Sequence, residues 1–376
     1  MDNRRRFFSS MAASGVAGLA ASAANGVRAD VTAPVPSAVT LLRFQSTWPS
    51  DDVFHEFAND FVGKVGAMSG GRLRIDLLPA DAVVKPHDLL DAVSKGSLDG
   101  GHGVIGHWHG KHPALSLWGS GPAFGMDPNM LLAWHELGGG KALLDEIYRS
   151  LNLNVVSFLY GPMPTQPLGL FRRPVTRPED LKGLRYRAVG PAIDLFAAMG
   201  VSVSTMPGAE VKQALGRGQL DGTQLNNVSA PGVSELSDVA RYCLLRSFHQ
   251  SSESFEILIN RRRFDTLPAD LQAILRHAVQ ACSAEMSWKV IERYSRNYQD
   301  LLDRRAFSFQ PTSEPVLRAQ LKAWDEVAAR RSAGSVVYKR VADSMKAFAH
   351  RAGRWQNDTL VDYRMAYEHY FSARKA

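Results

Sequence analysis

The sequence predicts an α/β protein of two lobes, and three observations carry that prediction. At 376 residues the chain is longer than one domain of ~100–200 residues requires. β-prone apolar runs alternate with apolar stripes at helical spacing, the β-α-β-α order of a mostly parallel sheet with helices on its faces. A stretch of the first half is also echoed in the second. Ala92–Gly100 (AVSKGSLDG) matches Ala214–Gly222 (ALGRGQLDG) 122 residues later, each a helix end, a capping glycine and a strand opening at Leu-Asp-Gly. The strands upstream, Leu73–Leu77 and Leu184–Ala188, stand at different distances from the two copies. A fixed-period solenoid is thereby excluded, leaving two lobes of similar construction.

Taken in order, Val39–Gln45 (VTLLRFQ) reads as a strand. Ser50 or Asp51 then caps a helix whose face is Phe54, Phe57, Phe61 and Val65, and Gly70-Gly71 end it. Arg72–Leu78 alternates as a strand, and Leu89, Leu90 and Val93 mark a helix closed by Gly96. The three prolines of Gly161–Leu168 forbid a helix and suit an extended crossing between lobes. Gly169–Val175 is a strand, and Thr176–Gly183 a short helix with Pro178 in its first turn. Leu184–Ala188 follows as a strand with Tyr186 and Arg187 near its carboxyl end, where open α/β sheets bind ligands. A helix is expected from Pro268 to Lys289, and mostly helix after Pro311, interrupted at Gly334 and Gly353. Tyr363, Tyr367 and Tyr370 give that tail an aromatic face for packing on the lobes or on a dimer partner. The expected boundaries are residues 39–160 and 251–310 for lobe I, 161–250 for lobe II, and 311–376 for the C-terminal helices.

Composition narrows the function. Hydrophobic residues are 45% and charged residues 22%, as in globular proteins, and no apolar run is long enough to span a bilayer. Of the formal net charge of +7, three units sit in residues 1–29, where Arg4, Arg5, Arg6 and Arg28 face Asp2 alone. The excess left to the folded part is too small to suggest a nucleic-acid partner. Those first 29 residues have a basic start, a small-residue middle and Val27-Arg28-Ala29 as a cleavage site, which together read as a signal peptide. Arg4-Arg5-Arg6-Phe7-Phe8 resembles a twin-arginine signal, with Asn3 and Ser9 departing from the usual pattern. Export to a bacterial periplasm follows. Cys243 and Cys282 form no disulfide framework and are expected as buried thiols.

Chemistry-bearing motifs are few. Gly101–Gly106 satisfies G-x-G-x-x-G, but Gly110 and Pro113 deny it the helix that a dinucleotide site needs. His102, His107, His109 and His112 cluster without a carboxylate, so lining a pocket or a solvated loop is favoured over a metal site. H-E-x-x-H, G-x-S-x-G and Walker patterns are absent from the sequence. Arg187 stands out, because a planar fork at a strand's carboxyl end beside a helix start suits bidentate capture of a carboxylate.

The run GLFRRPVTRPEDLKGLRYRAVG, with Pro207–Leu215 and Gly218–Gly222, resembles the periplasmic solute-binding component of TRAP (tripartite ATP-independent) transporters. The likeness is closest to the DctP-type subgroup that binds 2-oxo acids and dimerises through long C-terminal helices. It implies the two-lobed periplasmic-binding-protein fold with a hinge, no catalysis, a small organic acid as ligand and TRAP membrane subunits as partners. It also implies that Arg187 holds the substrate carboxylate and that Gln166 contacts substrate or a cation. The subgroup's Glu-Trp pair falls on Gln224-Leu225, and a second acidic position falls on Gln250, beyond Phe248. With those charges gone, no obligatory Na⁺ or Ca²⁺ is expected. Gln166, Gln224 and Gln250 would be the ligands of such a cation; otherwise their amides meet the substrate directly. Asn226 joins them in orienting it, and Trp48, His107, Trp108 and Phe248 exclude water. His107 stands in place of a pocket tyrosine, which points to a ligand more polar or larger than a small oxo acid. The alternative is a periplasmic enzyme with a metal on the histidine cluster.

Overall fold

The computed structural model describes residues 39–372 other than Pro164, Val228 and Pro231; the signal peptide expected over 1–29 lies outside the described residues. The chain opens with β1 (Thr40–Ser46), α1 (Val53–Met68) and β2 (Leu73–Leu78). Asp52, rather than Ser50 or Asp51, caps α1 by accepting the Phe54 N–H at 2.8 Å. Next come α2 (Leu89–Lys95), closed by left-handed Gly96, and β3 (Gly100–Gly103). A side chain at Gly100 would overlap the Phe44 ring and the Leu258 carbonyl, so β3 packs there only as glycine. Helices α3 (Pro128–Leu137) and α4 (Gly140–Ser150) lead to β4 (Val155–Met163).

The chain then crosses over. β5 (Gly169–Phe171), β6 (Arg185–Arg187), α5 (Ala192–Ala198), β7 (Ser202–Ser204), α6 (Val211–Gly216), β8 (Gly222–Thr223) and β9 (Tyr242–Leu245) build a second lobe. β10 (Glu253–Asn260) returns to the first sheet, followed by α7 (Arg261–Asp265), α8 (Ala269–Asp303), β11 (Ser308–Pro311), α9 (Glu314–Gly334), α10 (Val336–Thr359) and α11 (Tyr363–Phe371). The sheet orders are β2-β1-β3-β10-β4 and β11-β9-β5-β8-β6-β7. Both are more mixed than expected. β10 runs antiparallel to β3 and β4, and β5 antiparallel to β8 and β9. Each of these is the strand that enters directly from the other sheet, without the crossover that keeps neighbours parallel.

Each sheet is covered on both faces. In the first, Phe44, Ile257 and Ile259 pack with Phe57, Phe61, Leu275 and Val279 of α1 and α8, while Leu90, Trp118, Trp134 and Tyr338 fill the other side. α8 runs 14 residues past the expected Lys289, because its sequence to Asp303 holds neither glycine nor proline. Its far end, Leu301, joins the core of the second sheet, and β11 pairs with β9. The expected assignment of 251–310 to lobe I therefore does not hold at its end. α9 also spans both lobes, with Val316 in the second core and Trp324 and Val327 in the first. The tail breaks at Ser335, just beyond Gly334, and α10 passes through Gly353 without interruption. Tyr363, Tyr367 and Tyr370 are 71%, 64% and 75% exposed and do not pack on the lobes. Cys243 and Cys282 are buried, free and in different cores.

Candidate functional site

A cavity of about 310 Å³ lies where the carboxyl ends of parallel strands from both sheets meet. Thr47 and Trp48 follow β1, Gly106, His107 and His109 follow β3, Val189–Pro191 follow β6, and Gln224 and Asn226 follow β8. The two crossing segments supply Gln166 on one side, and Gln250 and Glu253 on the other. A second cavity of similar volume, lined by Arg173, Asp180, Lys182 and Asp221, sits near the amino ends of β6 and β8. Strand direction favours the first as the ligand site.

An amide network closes the crossing side. The Val189 N–H donates to Gln224 Oε1 at 3.0 Å, which fixes the orientation of that side chain. Its NH₂ then donates to Gln166 Oε1 at 2.9 Å and to Gln250 Oε1 at 3.3 Å. His249 Nε2 lies 3.3 Å from Gln166 Oε1 and 3.4 Å from Gln224 Nε2. Behind it Ser247 Oγ holds His249 Nδ1 at 2.6 Å, and Gln320 of α9 donates to Ser247 Oγ at 2.8 Å. Burial lowers the His249 pKa to about 3, so this imidazole is neutral.

The family resemblance raises a bridging cation at this point of the cavity. The two amide oxygens that would face a cation already converge on the Gln224 NH₂, a donor in the cation's place. The two amides and the neutral imidazole bring no charge to balance one, and the carboxyl group that lines the cavity is Glu253, whose Oε2 accepts from Gln250. Among the described residues, no group of three or more His, Cys, Asp and Glu side chains could hold a metal ion.

The histidine cluster divides into four separate roles. His102 is buried between Ser46 Oγ at 3.1 Å and Tyr160 OH at 2.7 Å. His112 accepts the Ala114 N–H, capping a 3₁₀ turn. His107 and His109 reach the cavity, with His109 Nδ1 held by the Gly106 carbonyl at 2.9 Å. His107 lies 5.7 Å from Trp48 and 6.0 Å from His87, ring to ring, and its Nδ1 is buried without a partner among the described residues. Burial pulls its pKa down to about 4.

Of the residues expected at the site, Trp48, His107, Gln166, Gln224, Asn226 and Gln250 line the cavity. Four do not. The Trp108 indole is buried and donates to Glu256 at 2.8 Å, beside Tyr148 and Ser157; it secures a buried carboxylate in the core. Leu225 packs in the second-lobe core with Leu215 and Leu220, where its apolar side chain is driven. Phe248 lines a different cavity, with Arg246, Pro167 and Leu317. Arg187 ends β6, and its carbonyl accepts the Gln224 N–H at 2.9 Å. Its half-buried guanidinium meets the Met206 carbonyl at 3.2 Å and does not line the cavity. Tyr186 takes the face towards Phe171 and Phe196, so strand alternation turns Arg187 the other way.

Sequence reasoning missed Glu253, which opens β10 and is 9% exposed. Its Oε2 accepts from Gln250 Nε2, and burial pushes its pKa up to about 8. The signal was available: Phe255, Ile257 and Ile259 follow at alternate positions, so Glu253 is a carboxylate at the head of a buried strand face.

Comparison with known proteins agrees with this architecture. The chain is 26% identical over 324 residues to the monocarboxylate 2-oxoacid-binding periplasmic protein of Nostoc sp., covering 85% of this chain and 87% of that one. It is also similar to two crystal structures of TRAP periplasmic solute-binding proteins. One, from Pseudoalteromonas atlantica, has bound sodium and pyruvate; it is 26% identical with a TM-score of 0.79, over 89% of this chain and 100% of that one. The other, from Colwellia psychrerythraea, has bound calcium and pyruvate; it is 25% identical with a TM-score of 0.80, over the same shares. The family model for bacterial extracellular solute-binding protein family 7 (DctP) matches residues 44–333, more than half of the chain, and the protein belongs to that family.

Proposed function

We propose that this protein captures a small organic acid between its two lobes and delivers it to a TRAP-type membrane permease, without catalysis and without an obligatory cation. The convergence of strand carboxyl ends from both sheets on one cavity carries this reading. The crossing segments form the hinge on which the lobes close over the ligand. The cavity's donors include the Asn226 amide, beside the oriented Gln166, Gln224 and Gln250. Arg187 supplies the ionic contact. A single carbonyl holds its guanidinium among the described residues, and its strand ends beside Gln224, so a swing of the long side chain brings the fork to a ligand carboxylate. The Nostoc relative is a 2-oxoacid binder, which supports the acid class.

Two further elements belong to this reading. The family works outside the cytoplasm, and Arg4–Phe8 suits export by a twin-arginine route. The exposed aromatic face of α11, continued by Phe371, suits a second copy of the chain. The primary test is a thermal-shift screen of organic acids on the mature protein, paired with mass spectrometry of whatever co-purifies. Stabilisation by at least one carboxylate is expected, and a screen in which no carboxylate raises the melting temperature rejects the function.

A further inference from the structure

We propose that Glu253 is a ligand-contacting residue and that the acid held in this cleft carries a hydroxyl group facing it, rather than being a plain 2-oxo acid. The proposal rests on the organic-acid reading above and names the class of acid. Glu253 is about nine-tenths buried and lines the cavity, with Oε2 taken by Gln250, while Oε1 accepts no hydrogen bond from any described residue. Gly119 keeps that oxygen open, since a Cβ there would stand 3.2 Å from it. That oxygen of an otherwise buried side chain opens on the cavity, so a ligand group that pairs with it there gains affinity.

The complementary group is a hydroxyl. It donates to a carboxylate, accepts from a carboxylic acid, and does either for the unpartnered His107 Nδ1, whereas a keto oxygen only accepts. With Arg187 swung to the ligand carboxylate, no second Lys or Arg lines the cavity among the described residues to meet a keto oxygen, and the cation that would join a keto acid to a carboxylate finds the Gln224 NH₂ in its place. The volume agrees: about 310 Å³ holds roughly ten water-sized groups, more than a three-carbon oxo acid fills.

Calorimetry in sodium-free, chelator-treated buffer tests this with matched probes, lactate against pyruvate and gluconate against hexanoate. Wild type is expected to prefer each hydroxy acid by about tenfold or more, and Glu253→Ala to remove that preference. Glu253→Gln, which keeps one oxygen, should recover part of it; melting curves confirm that both variants fold. Pyruvate binding as tightly as lactate with Glu253→Ala indifferent to both overturns this inference and leaves the organic-acid function standing. A tight ligand from the wider screen that lacks a hydroxyl does the same. If no acid of any kind binds, the proposed function falls and this inference with it.

Discussion

Replacing Gln224 by Glu puts an acid where the family resemblance implies one, and its consequences follow from distances. The Gln224 NH₂ donates at 2.9 and 3.3 Å to the oxygens of Gln166 and Gln250. With an oxygen in its place, both acceptors lose their donor and face a negative charge. Two acceptors at ~1–3 kcal/mol each set an upper bound of about 2–6 kcal/mol, reduced where His249 Nε2, 3.3 Å from Gln166 Oε1, and water at half-buried Gln250 take up the lost donor. For a chain of this length that is on the order of 3–8 °C in Tm. The same change builds an anionic oxygen cage, so Ca²⁺ at a hundred times its Kd should return about 2.7 kcal/mol. Differential scanning fluorimetry in chelator and then in calcium reads both effects. Wild type should show no calcium shift, and Gln224→Glu should start lower and rise with calcium. A wild type that gains several degrees from calcium, with a variant that loses nothing in chelator, refutes the reasoning.

Other outcomes follow from the same structure. Arg187→Ala should weaken carboxylate binding by about 1.5–3 kcal/mol, the range of charged hydrogen bonds, and unchanged calorimetric affinity removes Arg187 from the site. Trp108→Phe takes one of three donors from the buried Glu256 carboxylate. It should cost about 1–3 kcal/mol in chemical denaturation while leaving affinity unchanged; a loss of affinity would return Trp108 to the cleft. Buried His102, His135 and His249, with pKa lowered to about 3 from 6.5, leave the folded chain short of protons below pH 6.5, so acid destabilises it. Glu253, raised to about 8 from 4.5, acts in the opposite sense, and buried Glu256 is shifted in the same direction as Glu253. With His107, lowered to about 4, acting in the same sense as the other three histidines, stability should peak near pH 6.5 and fall below it by about 2.7–4.1 kcal/mol per pH unit, whereas a Tm rising steadily to pH 8 contradicts these assignments. Removing residues after Thr359 should convert a dimer to a monomer in light scattering; an unchanged mass shows that α11 is not the contact.

Elements with period and punctuation were legible before any coordinates. Phe54, Phe57, Phe61 and Val65 are all buried on α1, and left-handed Gly96 ends α2 as the echo predicts. Its counterpart Gly218 is left-handed too, and β8 opens at Gly222 as β3 opens at Gly100. Strand direction was less legible, because local patterning does not say which strand arrives from the opposite lobe. At the site, the family resemblance, not any spacing in the chain, singled out the three glutamines, and each of them lines the cavity where the chain crosses or a strand ends. Side-chain destination was the weak point. Trp108, Leu225 and Phe248 are apolar residues beside a cleft, and whether such a residue faces ligand or core depends on partners distant in sequence, such as Glu256, 148 residues from Trp108. Glu253 was overlooked for the converse reason, since a polar residue in a loop-to-strand step looks solvated until its alternation with Phe255 and Ile257 is read.

The most direct test titrates a panel of organic acids into mature protein stripped of sodium and divalent metals. Saturable one-to-one binding of at least one acid, unchanged when sodium or calcium is restored, is the predicted result. Binding that appears only after a cation is added would contradict the account.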